Sequence, residues 1–512
     1  MYTIPVLLVA FVTSVFSILA IKPLAISIGL VDQPGGRKAH DQQTPLIGGI
    51  AIFFSVALAW YIAPRLGLST INSVFAAASG LIFIVGLIDD RKPLSVWLRF
   101  GVQGIAVGLM IYGSVVVRDV GFLFGEKPLQ LHLLSIPITV FATIGAINAM
   151  NMIDGVDGLA GSVSLVSFGL LLLVAFNAGH LLQILILLCV LGGLIGFLFF
   201  NMPIPGRDRA HVFMGDAGST LIGFLLAHSL IVLSQGDNRG MAPVTTLWIF
   251  AVPLMDTLGV MIRRLWLRRS PFAADRNHIH HLFLDADFRI RHAVLAIVLL
   301  QASLGGVGLA LDKTGAPELL SLALFGIVFC GYVYLISRPW RIVPRLRQVH
   351  GKLGMVKRGV EYVYVGGLNH DSAVADIEAL LDVRVKSMDF EVYRQGEGSD
   401  AHVFALISAG HNDRVEYSLR VLRLLLRRQQ RLGTSGLSGV EVIRQFVPRN
   451  PGTDRRSVRR EVRLEKRGAS PRTTTGLEKR QGDRRQGTPR LIYRSSEQGR
   501  GQSLSNDGLQ LA

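Results

Sequence analysis

Through the first 340 residues the hydrophobic positions come in long unbroken runs, with neither the strict alternation of strands nor the one-sided stripe of surface helices. Apolar stretches cover approximately 2–21, 46–63, 71–88, 100–117, 133–150, 159–176, 181–199, 218–234, 243–261, 292–311 and 317–336. Each is close to the roughly 20 residues that carry a helix across a bilayer. A helix that is apolar on every side must be buried in protein or in lipid. The pattern therefore predicts an all-α polytopic membrane protein with about eleven transmembrane helices. The first run has no basic leader and no small-residue cleavage site, so it reads as a span and not as a removable signal.

Beyond residue 340 the pattern changes. EYVYVGG from Glu361 reads as a strand, SAVADIEALL from Ser372 as a helix, and RVKSMDFEVY from Arg384 with AHVFALIS from Ala401 as a strand pair. A basic helix over about 412–431 and a strand from Gly439 complete the order βαββαβ, that of a ferredoxin-like unit. From Pro448 onward Arg, Gly, Ser and Thr dominate, a composition that buries too little apolar surface to fold. The expected organisation is a membrane domain over 1–340, a small cytoplasmic α+β domain over 355–448 and a disordered basic tail over 449–512.

Charge adds an orientation. The chain is 50% hydrophobic with a net charge of +17 and a mean hydropathy of +0.43. Residues beyond Ile336 include 33 basic and 19 acidic side chains, so most of the excess lies in the C-terminal part. Such a segment suits nucleic acid or anionic lipid headgroups; tethered at a membrane, it needs only the lipid bilayer, and no nucleic acid is expected. With the N-terminus outside, the inner loops carry 15 Lys and Arg and the outer loops 5. The positive-inside rule then sets the C-terminus in the cytoplasm. The cysteines, Cys189 and Cys330, fall inside expected spans, which argues against a disulfide framework.

In that orientation six polar clusters share the cytoplasmic face. Asp89 and Asp90 end the third span before Arg91 and Lys92. Adjacent acids there are either solvated surface or oxygen ligands for Mg²⁺, which bridges to substrate phosphates. The segment from Asn148 carries Asn148, Asn151, Asp154 and Asp157, with Gly155, Gly158 and Gly161 between and after the acids. It is either a glycine-rich turn or a ligand-binding loop. In FMGDAGS from Phe213, Asp216 suits a helix N-cap, and the same helix start suits a phosphate. His278, His280 and His281 follow Asp275 and Arg276 in the most basic inner loop. Their spacing fits no structural zinc site, so phosphate binding leads over metal ligation and over an ordinary surface loop. Arg37, Lys38 and His40 in the first inner loop suit a phosphate clamp or simply the positive-inside bias. Asp256, near the inner end of the ninth span, is a weaker candidate. Only His228 is ionisable near the middle of a span, which disfavours a transport path across the membrane.

Together these motifs resemble the polyprenyl-phosphate N-acetylhexosamine-1-phosphate transferases, in particular the bacterial branch that acts on undecaprenyl phosphate. The resemblance covers roughly residues 1–340 and rests on DD at Asp89, DGVDGL at Asp154, FMGD at Phe213 and HIHH at His278. It implies eleven spans with N-out topology in the bacterial inner membrane. It implies catalytic roles for Asp89, Asp90, Asp154 and Asp157, and a Mg²⁺ site (Mn²⁺ the alternative) at Asp89, Asp90 and Asp216. Substrate contacts are implied for Lys38, His40, Asn148, Asn151, Phe213, Arg276, His278, His280 and His281. The implied substrates are a UDP-sugar, with N-acetylglucosamine the leading sugar, and undecaprenyl phosphate; UMP is the product. The glycan started would be an O-antigen-type polysaccharide, and glycan-assembly proteins are candidate partners of the C-terminal region. Another UDP-N-acetylhexosamine, such as a 6-deoxy sugar, remains open, as do a transporter and a membrane sensor from other classes.

Overall fold

The computed structural model describes residues 3–32, 44–68, 72–203, 209–266, 268, 270, 278–286, 288–338, parts of 341–349 and six strands between 361 and 503. The chain divides into two compact units, Met1–Arg347 and Gln348–Ala512.

The first unit is helical. Helix α1 (Thr3–Ser27) leads through the short strands β1 (Val31–Asp32) and β2 (Thr44–Pro45) to α2 (Gly48–Ile62), which a 3₁₀ turn extends to Leu66. Then come α3 (Ser73–Arg91), α4 (Val96–Tyr112), α5 (Ser135–Ile153), α6 (Leu159–Ala178), α7 (Leu181–Asn201) and α8 (Gly215–Ser234). The unit continues with α9 (Thr245–Ile249), α10 (Ala251–Trp266), α11 (Ile279–Asp285), α12 (Ile290–Lys313) and α13 (Glu318–Ile336). Among the described residues, nine helices are long and apolar enough to cross a membrane, so the protein is a multi-pass membrane protein.

Two of the eleven expected spans take another form. The span expected at 100–117 begins four residues earlier, because Ser95 caps Val96–Tyr112 by accepting the Leu98 N–H, and it has 17 residues. The span expected at 243–261 is broken at Phe250 into α9 and α10. Pro253 is the cause: it has no N–H for the Ile249 carbonyl. That carbonyl instead accepts from Ser167 Oγ (2.8 Å) and Gln301 Nε2 (2.7 Å), while Gln301 Oε1 takes the Val252 N–H (2.9 Å). Backbone groups freed inside a membrane bundle must find such partners.

Helices α7 and α8 are buried along most of their length, whereas α1, α12 and α13 turn most of their surface outward. Helix α1 lies on α7 and α2, where Ser14 Oγ donates to the Gly193 carbonyl (2.9 Å) and Ser55 Oγ to that of Ala10 (3.0 Å). Small residues and hydroxyls let helix backbones approach closely where no water drives association. Helix α3 packs on α8 in the same manner: a Cβ at Gly86 would sit 2.5 Å from Ala217 Cα. That closeness delivers the end of α3 to the start of α8. Cys189 is buried, Cys330 exposed, and both are unpaired.

The second unit contributes a six-stranded sheet of β3 (Glu361–Leu368), β4 (Asp389–Gln395), β5 (His402–Ala409), β6 (Gly439–Ile443), β7 (Arg490–Arg494) and β8 (Gln502–Ser503). Its order is β6-β3-β5-β4-β7-β8, antiparallel throughout. The helices expected at 372–381 and 412–431 lie outside the described residues. Strands β7 and β8 fall within the stretch expected to be a disordered tail, and those seven residues are a departure from that expectation.

Candidate active site

The segments that bring carboxylates together are the last turn of α3, the loop between α5 and α6, and the first turn of α8. Asp90 Oδ1 accepts the Asp216 N–H (2.6 Å) and Oδ2 accepts that of Ala217 (3.0 Å). The first turn of a helix has N–H groups with no partner in the helix, and an anion is favoured there. The expectation of a phosphate at this helix start therefore needs correction: the anion on these two N–H groups is a carboxylate of the chain itself. Gly215 makes the fit possible. Its φ is +73°, and a Cβ there would stand 2.5 Å from Asp90 Oδ2.

Asp89 points another way. Its Oδ1 accepts the Leu94 N–H (2.6 Å) and its Oδ2 meets Arg99 Nη1 at 3.0 Å. Asp216 faces Asp89 and accepts from Asn151 Nδ2 (2.6 Å), whose second proton goes to Ser219 Oγ (3.0 Å). Asn151 thus ties α5 to α8. Asn148, one turn earlier, points its amide at Gln103 on α4 (2.9 Å) and at the Ile144 carbonyl (2.8 Å).

Asp154 ends α5. Burial holds its carboxyl well above the ordinary carboxylate value, and the nearby charges of Asp216 and Asp157 add to that, so its pKa is pushed up to about 7. Asp157 accepts the Ala210 N–H (2.9 Å). Asn201 anchors the same loop, accepting the Gly158 N–H (2.7 Å) and donating to the Val212 carbonyl (2.8 Å). Phe213 is placed by its backbone, which pairs with Pro45 and Gly48 at 2.9 Å each.

The histidine turn meets this loop from α11. A Cβ added at Gly155 would come 3.1 Å from His280 Nε2, so the ring lies against the turn between Asp154 and Asp157. His280 is buried, and that burial, with His281 beside it, depresses its pKa to about 3; the ring is neutral at physiological pH. His278 and His280 stack in parallel planes with centroids 5.6 Å apart, and His281 lies 4.2 Å from His280. Asp256, 1% exposed on α10, accepts from His278 Nδ1 (2.8 Å), the Ile279 N–H (2.9 Å) and Tyr332 Oη (2.6 Å).

Of the sequence candidates, Asp89, Asp90, Asp154, Asp157, Asp216 and Asn151 are drawn into one cluster, and His280 touches its edge. Lys38, His40 and Arg276 lie outside the described residues. Arg99, Asn201, Gln103 and Tyr332 escaped the sequence reading. A polar residue inside or just past an apolar run was the available signal for each.

Five acids held near one another repel, and Arg99 pairs with one of them, Asp89. A bound cation would relieve that repulsion. Among the described residues no three or more His, Cys, Asp or Glu groups converge as a chelating cage. Mg²⁺ does not require one, since it keeps waters and substrate phosphate oxygens and takes one or two carboxylates. The donor set fits that mode.

Fold and site together define a polytopic membrane protein with an acidic, histidine-bordered site where helix ends meet loops. The family model Glycosyl transferase family 4 matches residues 72–234. The undecaprenyl-phosphate alpha-N-acetylglucosaminyl 1-phosphate transferase of Salmonella typhi is 39% identical over 347 residues, 67% of this chain and 92% of that protein. The proteins of the same name from Yersinia pestis (40% over 342 residues, 66% and 92%) and Haemophilus influenzae (36% over 355 residues, 68% and 98%) agree. The chain belongs to glycosyl transferase family 4, among the polyprenyl-phosphate N-acetylhexosamine-1-phosphate transferases.

Proposed function

We propose that the protein transfers N-acetylglucosamine 1-phosphate from UDP-N-acetylglucosamine to undecaprenyl phosphate and releases UMP. The observation that carries this reading is the meeting of the Asp154–Asp157 loop with the acids of α3 and α8 on one side and the histidine turn on the other, in a chain of this family.

The chemistry balances simply. An oxygen of the lipid phosphate bonds to the sugar-linked phosphorus, the bond from that phosphorus to the bridging oxygen breaks, and UMP departs. One pyrophosphate linkage replaces another, so the reaction runs near equilibrium. Asp154, at the end of α5, accepts the proton of a lipid phosphate monoanion. Asp157 and Asn201 hold the loop that carries it. Asp89, Asp90 and Asp216 are the residues for Mg²⁺, with Asp90 also setting the start of α8. The ion supplies charge neutralisation on the diphosphate. His278, His280 and His281, with Arg276, Lys38 and His40, receive phosphate oxygens.

The same proposal places eleven spans in the bacterial inner membrane, with the N-terminus periplasmic and the site and C-terminus cytoplasmic. The product starts an O-antigen-type lipid-linked polysaccharide. The strand order β6-β3-β5-β4 supports a ferredoxin-like domain over 355–448; it is the candidate contact for glycan-assembly proteins.

The test is UMP release by the purified protein in detergent. Release that requires undecaprenyl phosphate, UDP-N-acetylglucosamine and Mg²⁺ together is the expected result. No release from any of a panel of UDP-N-acetylhexosamines, by folded protein, would overturn it.

A further inference from the structure

Asp256 is a buried carboxylate that the proposed chemistry does not use. It sits on α10, accepts from His278 Nδ1 at the start of α11, and accepts from Tyr332 on α13. A helix cap accounts for only one of its three bonds, that to the Ile279 N–H. The imidazole and the phenol are additional. Each comes from a different element, and both converge on a group that is 1% exposed.

We infer that Asp256 and Tyr332 are positioning residues: they orient the His278 ring, and with it the histidine turn, toward the diphosphate of the sugar nucleotide. A carboxylate on Nδ1 commits that nitrogen as the donor and leaves Nε2 on the far edge of the ring, away from Asp256. Phosphate oxygens only accept hydrogen bonds, so Nε2 meets them as the N–H of an imidazolium. The charge on that ring is balanced from behind by Asp256, the role a buried carboxylate plays behind a working histidine in other enzymes. His280 follows, because its ring is parallel to that of His278 within 3° and rests against Gly155. Tyr332 fixes the carboxylate: its hydroxyl shares Oδ1 with the Ile279 N–H, which leaves Oδ2 for the imidazole. Gly259, one turn after Asp256, allows this approach, since a Cβ there would stand 3.2 Å from the Tyr332 ring.

The inference rests on the proposed reaction for the identity of the ligand, so its test has one readout independent of turnover. Full-length protein carrying ¹⁵N-histidine is compared as wild type, Asp256→Asn and Tyr332→Phe in detergent. Wild type should show a low-field ring N–H proton from a carboxylate-bonded imidazole, assigned by its loss in His278→Asn. The signal should vanish in Asp256→Asn and shift in Tyr332→Phe. For UDP-N-acetylglucosamine, kcat/KM should fall on the order of 10–100-fold in Asp256→Asn, the range for residues that orient a working histidine. Tyr332→Phe should fall by less, with most of the loss in KM. Tyr332→Phe with wild-type kinetics and an unmoved resonance would overturn the inference, and it decides the matter even where Asp256→Asn does not fold. Should the wild type turn over no UDP-sugar, the proposed function fails while the resonance still judges the His278–Asp256–Tyr332 arrangement.

Discussion

Acids at the two ends of the helical bundle, buried or partly so, behave in opposite ways. At the end beyond α4 and α8, Asp119 accepts from the Gly121 N–H (3.0 Å) and from Arg239 (3.3 Å), while Gln235 binds the backbone on either side. Asp312, at the same end, accepts from the Ala242 N–H (3.0 Å) and Thr245 Oγ1 (3.3 Å). Those carboxylates accept two hydrogen bonds each and stitch loops together. At the opposite end, Asp154 stands in the field of Asp216 and Asp157. Polar groups that are fully bonded build structure, whereas groups held in mutual repulsion need a ligand to justify their burial.

The largest effect that tests this contrast is on turnover. Asp154→Asn should lower kcat on the order of 10³-fold, while thermal unfolding of the metal-free protein should rise because one repelling charge is gone. A variant with lowered turnover and a lower melting temperature would place Asp154 with the structural acids.

Asp90→Ala should lose activity and also stability, by about 1–2 kcal/mol for two uncapped N–H groups at the start of α8. Asp89→Ala should lose activity with a smaller change in melting temperature, because it strips one N–H, that of Leu94, and a pair with Arg99, which at 36% exposure contributes little. Equal melting temperatures for the two variants would erase the distinction drawn between these neighbours.

Asp119→Ala should do the reverse of Asp154→Asn. It should lower stability by roughly 1–2 kcal/mol, through the orphaned Gly121 N–H and Arg239, and leave kcat and KM unchanged. Denaturation in detergent and UMP release measure the two halves.

The smallest effect is on pH dependence. The Asp154 carboxyl releases its proton near 3.8 when unfolded and near 7 when folded. Between those values the folded state binds more protons, so the contribution of this group to stability falls as pH rises from about 4 to about 7. His280, with its pKa lowered to about 3, slopes the other way, losing stability as pH falls below 6.5. The difference in melting temperature between Asp154→Asn and wild type removes the His280 contribution. That difference should grow from pH 4 to 7 and shrink when Mg²⁺ is added. A flat difference would show Asp154 to be ordinary.

Most of the architecture is legible in the sequence because lipid leaves the chain few choices. Nine long apolar runs became long helices; of the other two, one starts early at the cap Ser95 offers and one breaks where Pro253 removes a donor. The acids of the site are legible too, since carboxylates beside apolar runs are rare without a task. Their roles are less so. Asp89 and Asp90 are adjacent and chemically alike, yet one grips Arg99 and the other caps a helix that begins 125 residues later. Asn148 and Asn151 share a helix face, but Gln103 takes the first and Asp216 the second.

What the sequence by itself determined is therefore the helical membrane unit, four of the six strands of the C-terminal sheet and the stock of acids and histidines. Local hydropathy and residue chemistry decide those, and neither depends on distant contacts. Only the tertiary structure decided which acid faces which. Close approach at Gly86 and Gly215 sets Asp90 on the start of α8, and the Pro253 break precedes the turn of α10 from which Asp256 reaches His278 and Tyr332. Distances of this kind arise from packing between segments far apart in the chain, and it is at those distances that burial and charge act on a carboxylate.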